Sequence, residues 1–321
     1  MAETGEVNVG VTVVRERGEL RALLDCKGGA FAGSGGFGAV RTCSVPGRLR
    51  ESRFAVKTFD WDSPERAEKA ALQEARMNAL VSRRLGPLSR EVTLILSARS
   101  PISSVTVYKT PRGKKRYVVY ATCRGRRAVD LFELSREARL TEGDAVWIAA
   151  DLSLKVAALH DRGVYHNDIK RENALACLRE SDGDAFVRLI DFGAASTDRF
   201  PALPPGGTFF AFTAEVRSLL TSVLGLGEGD WSQLAALEFC ASGKRYIRDS
   251  AARDCVAYAF LACELVGGLV GPGHALCRAL KRLLLALPRG VVPGDLRRVA
   301  AVVPLRSTRR LSAHRHAFAR R

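Results

Sequence analysis

Eight consecutive residues, His166-Asn167-Asp168-Ile169-Lys170-Arg171-Glu172-Asn173, are followed 18 residues later by Asp191-Phe192-Gly193. Asp168 offers a carboxylate that can orient a hydroxyl nucleophile. Lys170, two residues on, can meet a phosphoryl group in transfer, and Asn173 with Asp191 can hold Mg²⁺ bridging phosphates. Few other chemistries need these residue types in this order. As ordinary structure, Asp182-Gly183 and Asp191-Phe192-Gly193 would be turns and Asn173 a cap.

A second phosphate-sized feature lies upstream. In Gly33-Ser34-Gly35-Gly36-Phe37-Gly38-Ala39-Val40 the glycines let backbone amides approach phosphate oxygens with no side chain in the way. The stretch leads into another strand and not into a helix, which disfavours a dinucleotide-binding βαβ unit. Lys57 comes 19 residues after Gly38, a strand, turn and strand later, so the chain returns over the same sheet and can set an ammonium beside the phosphates. Glu74 falls on the following helix, on the same small-residue face as Ala67, Ala70 and Ala71. A carboxylate on a tightly packed face needs a partner, and Lys57 is the natural one.

Strand signals come first along the chain and helix signals later. Residues 31–59 read as a glycine-broken strand, a second strand and a hairpin into Phe54 to Phe59. Ser63-Pro64-Glu65 opens a helix through about Leu80. Residues 91–96 and 104–109 read as a strand pair and Tyr117 to Thr122 as another strand. Beyond Gly125 the pattern predicts helices over 144–160, 251–266 and 274–287, with short strands over 173–178 and 186–190. A strand-rich first third joined to a helix-rich remainder implies two lobes with a cleft between them.

Composition excludes several classes. Hydrophobic residues make up 47% and charged residues 26% of the 321, too apolar for a disordered chain. No uncharged apolar run reaches the roughly 18 residues of a membrane span, and the acidic start Met1-Ala2-Glu3-Thr4-Gly5-Glu6 is unlike a signal peptide. The expectation is a protein kept inside the cell, in cytoplasm or nucleus, with no membrane partner. Eight cysteines, with no Cys-x-x-Cys and no zinc spacing, read as reduced thiols. The net charge of +16 favours acidic partners. The basic residues are spread along the chain, which disfavours nucleic acid as the primary partner.

In these motifs the chain resembles the protein kinase family, of serine/threonine type, from about residue 26 to Phe318. The resemblance implies an α+β, bilobal fold. Residues 26–123 would form an ATP-binding lobe with a small antiparallel sheet and one main helix, and residues 124–321 a larger, mainly helical lobe, after an N-terminal segment 1–25. It implies ATP and Mg²⁺ as cofactors. Gly33, Ser34, Gly35, Gly36, Phe37 and Gly38 would form the phosphate loop, with Lys57 as anchor and Glu74 as its partner. Val40, Ala55 and Leu175 would sandwich the adenine, Ala121 to Cys123 would be the hinge, and Tyr120 the gatekeeper. Asp168 and Lys170 would be catalytic, and Asn173 and Asp191 metal ligands. Asp254 resembles the buried aspartate that supports the catalytic loop. Gly207-Thr208 with Thr213-Ala214-Glu215 resembles the end of the activation segment, and Arg310 a closing helix. An ion pair between Glu215 and Arg310 follows.

The chain also departs from the family pattern. Asn167 replaces the arginine that usually precedes the catalytic aspartate and receives an activation-loop phosphate. Activity independent of phosphorylation at Ser196 or Thr197 is therefore expected. Ala214 and Ala259 stand for proline and glycine, and Asn78 occupies a position usually apolar. An insertion spans about 216–252. In its compactness and arginine- and alanine-rich style the chain is similar to kinases of large DNA viruses. The expected substrate is a protein, acidic or pre-phosphorylated, and the expected state a monomer. The alternatives are a pseudokinase scaffold and a small-molecule phosphotransferase.

Overall fold

The structure, a computed structural model, describes residues 11–14, 31–35, 38–44, 53–59, 63–95, 105–110, 113–123, 126–137, 140–179, 184–200, 211–241, 244–290, 293–303 and 309–310. The chain divides into two compact units, Met1–Gly125 and Arg126–Arg321.

The first unit is a sheet with one long helix. Its elements run β1 (Val11–Val14), β2 (Phe31–Gly35), β3 (Gly38–Ser44), β4 (Arg53–Phe59), α1 (Pro64–Leu85), α2 (Ser89–Val92), β5 (Val105–Thr110) and β6 (Gly113–Ala121). The sheet order is β1-β5-β6-β4-β3-β2, antiparallel except where β1 runs parallel to β5. Residues 11–14, which belong to the N-terminal segment expected ahead of the first lobe, supply β1 of this sheet. Ser63 caps α1 by accepting from the Arg66 amide (3.3 Å), with Pro64 in the first turn. Ala67, Ala71 and Ala75, one turn apart, are at most 2% exposed and pack with Phe59 and Val118. Side chains this small let the helix lie close on the sheet.

Residues 91–96 were expected to be a strand. Of the described part, 91–95, Glu91 and Val92 instead complete α2 and only 93–95 are extended chain, with a backbone bond from the Ala121 amide to Leu94 O (2.8 Å). Thr93 explains the difference, because its Oγ1 donates to Ser89 O (3.0 Å) and accepts from the Ile95 amide (3.1 Å). Local side-chain bonds of this kind compete with a strand ladder.

The second unit contains β7 (Arg127–Asp130), α3 (Leu131–Glu137), α4 (Glu142–His160), β8 (Ala174–Leu178), β9 (Asp184–Leu189), α5 (Ala214–Leu224), α6 (Glu228–Ala235), β10 (Glu238–Ala241), β11 (Lys244–Ile247), α7 (Ser250–Val266), α8 (Ala275–Ala286), α9 (Pro293–Ala300) and β12 (Arg309–Arg310). Strands β12-β9-β8-β7 form an antiparallel sheet. Thr141 and Asp144 close a capping box at the start of α4. Helices α4 and α7 are buried along most of their length, as a helix apolar all round must be. The Tyr258 hydroxyl on α7 donates to Ala149 O on α4 (2.9 Å), and burial pushes its pKa up.

The 216–252 stretch is built from most of α5, all of α6 and the β10–β11 hairpin. Glu238 ties it down by accepting from the Phe212 amide (2.9 Å) and facing Arg245 (3.6 Å). Arg310, expected in a closing helix, lies instead in β12 opposite Asp184; pairing with the edge of β9 satisfies its backbone as a strand. Residues 311–321, and with them the rest of that helix, lie outside the described residues. Cys240, Cys255, Cys263 and Cys277 are free thiols, and burial raises the pKa of Cys255 and Cys263. Cys123 and Cys177 each have their sulfur in a disulfide, against the all-thiol expectation; residue spacing alone does not report which thiols are oxidised. Among the described residues no helix is long and apolar enough to cross a membrane.

Candidate active site

In the first unit, β2 and β3 form the glycine hairpin, with Gly33 opposite Val40, Ser34 opposite Ala39 and Gly35 opposite Gly38. Gly36 and Phe37, at its tip, lie outside the described residues. Ladder pairing sets Lys57 of β4 opposite Val40 and Ala55 opposite Tyr120. Lys57 Nζ reaches Glu74 Oε2 at 2.8 Å, with side chains 9% and 3% exposed. The Lys57 ammonium also lies 5.3 Å from the Phe59 ring centroid. The other hold on this carboxylate leaves no mark in the sequence: the Tyr120 hydroxyl donates to Glu74 Oε1. Both oxygens of Glu74 are thus engaged, which offsets the cost of burying a carboxylate.

Ala121 has its amide committed to Leu94, and Cys123 is buried. With its sulfur in a disulfide, Cys123 could meet a base only through its backbone. Asn78 is 4% exposed and its Oδ1 has no hydrogen-bond partner among the described residues, an arrangement that costs stability.

In the second unit the loop 164–173 gathers the polar cluster. Asp168 Oδ2 accepts from Asn173 Nδ2 (2.8 Å) and faces Lys170 Nζ (3.0 Å). Asn173 Nδ2 also donates to Asp168 O (2.8 Å). Asp168 and Asn173 are 9% and 5% exposed, while Lys170 is more open to solvent. His166 Nδ1 accepts from the Asp168 amide (3.3 Å), so its Nε2 carries the proton and donates to Ile190 O (2.9 Å). The Ile190 amide returns to Asn173 O (3.0 Å), which sets Asp191 beside Asn173 in the chain's path. Asp191 is left-handed (φ 60°) and accepts from the Gly193 amide (3.4 Å). Phe192 is buried against the His166 ring, 4.7 Å between centroids. Leu175, in β8, is half-buried and pairs with Asp130.

Asp254, 1% exposed on α7, anchors this loop. Its Oδ2 accepts from the His166 amide (2.7 Å) and meets His160 Nε2 (3.0 Å), and its Oδ1 accepts from the Asn167 amide (2.7 Å). These bonds hold Asn167 left-handed (φ 62°), a conformation costly for a residue with a Cβ. Arg171 pairs with Glu264 of the same helix (2.8 Å). Burial raises the Glu264 pKa and Arg171 opposes it.

The second unit therefore carries a carboxylate tied to a lysine and an asparagine, with a second aspartate alongside. No group of three or more His, Cys, Asp or Glu residues among the described residues could hold a metal. The pair Asn173 and Asp191 nevertheless fits Mg²⁺, a hard cation that takes few protein oxygens and completes its shell with water and phosphate. Glu215 is exposed in the first turn of α5, which Thr213 caps (3.3 Å to the Val216 amide). The side chain of Arg310, its expected partner, and residues 201–210 lie outside the described residues.

Residues 29–199 match the family described as protein kinase domain. The chain is 27% identical over 175 residues to serine/threonine-protein kinase 33 of Bos taurus, covering 52% of this chain and 31% of that protein. It is 40% identical over 89 residues to serine/threonine-protein kinase pkn3 of Myxococcus xanthus (26% and 16%). It is 34% identical over 114 residues to serine/threonine-protein kinase ppk30 of Schizosaccharomyces pombe (34% and 11%). The chain thus matches at most 31% of the length of these curated relatives.

Proposed function

The chain belongs to the protein kinase domain family, and from that premise we propose that it transfers the γ-phosphoryl group of Mg-ATP to serine or threonine hydroxyls of a protein. Residues 33–40 cradle the phosphates, and Lys57, held by Glu74, neutralises them. In the first unit Val40 and Ala55 line a face of the base, with the backbone of 121–123 at its edge. Asp168 orients the attacking hydroxyl and takes its proton, while Lys170 offsets charge developing on the transferred group. Asn173 and Asp191 would hold Mg²⁺, which supplies positive charge against the phosphate oxygens.

What carries this reading is the hydrogen-bonded set Asp168, Lys170 and Asn173, backed by Asp254. The lysine two residues after the aspartate supports the serine/threonine class. Because Asn167 stands where a phosphate-receiving arginine would be, the enzyme needs no phosphate at Ser196 or Thr197. The +16 net charge suits acidic or pre-phosphorylated substrates, and a monomer suffices for the reaction.

A peptide array incubated with labelled ATP and phosphatase-treated enzyme tests these points together. Label is expected on serine and threonine spots, most strongly among acidic peptides, and none with Lys57→Met. Loss of the signal on phosphatase treatment would remove the phosphate-independence, and label confined to tyrosine spots would remove the substrate class.

A further inference from the structure

Arg253, in the first turn of α7, is 2% exposed, yet its guanidinium makes four hydrogen bonds that all end on uncharged oxygens. Nε and Nη2 donate to Ile247 O (2.9 and 2.8 Å), Nη2 also to Arg248 O (3.3 Å), and Nη1 to Asn167 Oδ1 (3.0 Å). Burial lowers its pKa and the more distant charges of Asp254 and Asp249 partly offset this, but a guanidinium stays charged at any working pH. A cation buried without a directly bonded carboxylate is costly, and an apolar residue would fill the same space without that cost. Its burial there calls for a use.

Asn167 is the residue immediately before Asp168. With its Oδ1 facing the Arg253 donor, its amide orientation is settled and Nδ2 must point the other way. Nδ2 donates to Ala194 O (3.2 Å) and Ser196 Oγ (3.1 Å), just beyond Asp191-Phe192-Gly193. Tyr165 and Ser196 exchange two backbone bonds alongside (both 2.9 Å). One amide thus joins α7, the catalytic loop and the segment after Asp191. Ser196 Oγ also donates to Asp198 O (2.9 Å), a bond that a phosphoryl group on that oxygen would abolish.

We propose that Arg253 is a positioning residue for phosphoryl transfer: with Asn167 it clamps the catalytic loop to residues 194–196, so that Asp168 and Asp191 stay in register with no phosphate on that segment. The proposal rests on the kinase reading above and adds to it the device that replaces phosphate control.

The test is steady-state kinetics on phosphatase-treated protein for wild type, Arg253→Met, Arg253→Lys, Asn167→Leu and the double variant Asn167→Leu/Arg253→Met, each with its melting temperature. Arg253→Met and Asn167→Leu are each expected to lower kcat about tenfold or more, with KM for Mg-ATP within about twofold, because a misplaced base slows chemistry more than nucleotide binding. Arg253→Lys, which keeps the charge but loses the fork, falls between. The double variant is expected to be no slower than the slower single one, as for two residues acting as one device. A kcat within twofold of wild type in Arg253→Met, or single effects that multiply in the double variant, overturns the proposal. If Arg253→Met does not fold, Asn167→Leu decides by the same criterion. An active wild type beside an unimpaired Arg253→Met refutes the clamp alone, whereas a wild type no faster than Asp168→Asn refutes the kinase reading and the clamp with it.

Discussion

Asp168→Asn is expected to lower kcat about 10²- to 10⁴-fold, the range a positioned general base supplies, while leaving KM for ATP within about threefold. The reasoning is geometric. The substituted amide can still accept from Asn173 Nδ2, which is also held by Asp168 O at 2.8 Å, so the loop keeps its shape. What disappears is a negatively charged oxygen able to take a proton, together with the charge that Lys170 faces at 3.0 Å. Melting should shift by no more than about 4 °C, because a lysine–carboxylate pair with a solvent-exposed partner contributes only about 1 kcal/mol or less. Stopped or single-turnover transfer assays with a defined serine peptide, run beside thermal melting, check both halves. Residual kcat above a third of wild type would assign the proton to another group.

Asp254→Ala acts through a different cause and is expected to fail in stability before it fails in chemistry. Its two oxygens receive the amides of His166 and Asn167 and meet His160 Nε2, all within a core where Asp254 is 1% exposed. Removing the carboxylate leaves these groups buried without their acceptor at about 1–3 kcal/mol each. It also releases Asn167 from its left-handed conformation. A loss of about 4 kcal/mol is a large part of the roughly 5–15 kcal/mol that holds a domain together. It corresponds to a fall of about 8–16 °C in melting temperature for a unit of this size. Any protein that remains folded should have little activity, since the residue preceding Asp168 is no longer held. A melting temperature within 3 °C of wild type would mean that the loop is anchored elsewhere.

How far these features were legible in the sequence depends on the range over which they act. The glycine hairpin, the capped helix α1 and the buried helices α4 and α7 follow from local pattern: turn residues between alternating stretches, Ser63 before Pro64, and apolar residues on every face. The Lys57–Glu74 pair was readable because Ala67, Ala70 and Ala71 mark the face on which Glu74 sits, and a carboxylate there requires a cation. Tyr120 was harder, since its tie to Glu74 crosses 46 residues and a half-buried tyrosine in a strand has many possible partners. Thr93 misled in the other direction, because a β-branched residue in an apolar run suggests a strand until its hydroxyl bonds back to Ser89. Arg253 left no signal of its own. An arginine in a protein this rich in them reads as solvated surface, and only its burial against Asn167 separates it from the rest.

Movement of a phosphoryl group from nucleotide to side chain is tested most directly by the balance of products. Purified wild-type protein incubated with Mg-ATP and a serine- and threonine-containing peptide should release ADP and form phosphopeptide in equal amounts, and chelation of Mg²⁺ should stop both. ADP release no faster than that of Asp168→Asn, with no phosphopeptide formed, would instead identify a scaffold that has kept the fold and lost the reaction.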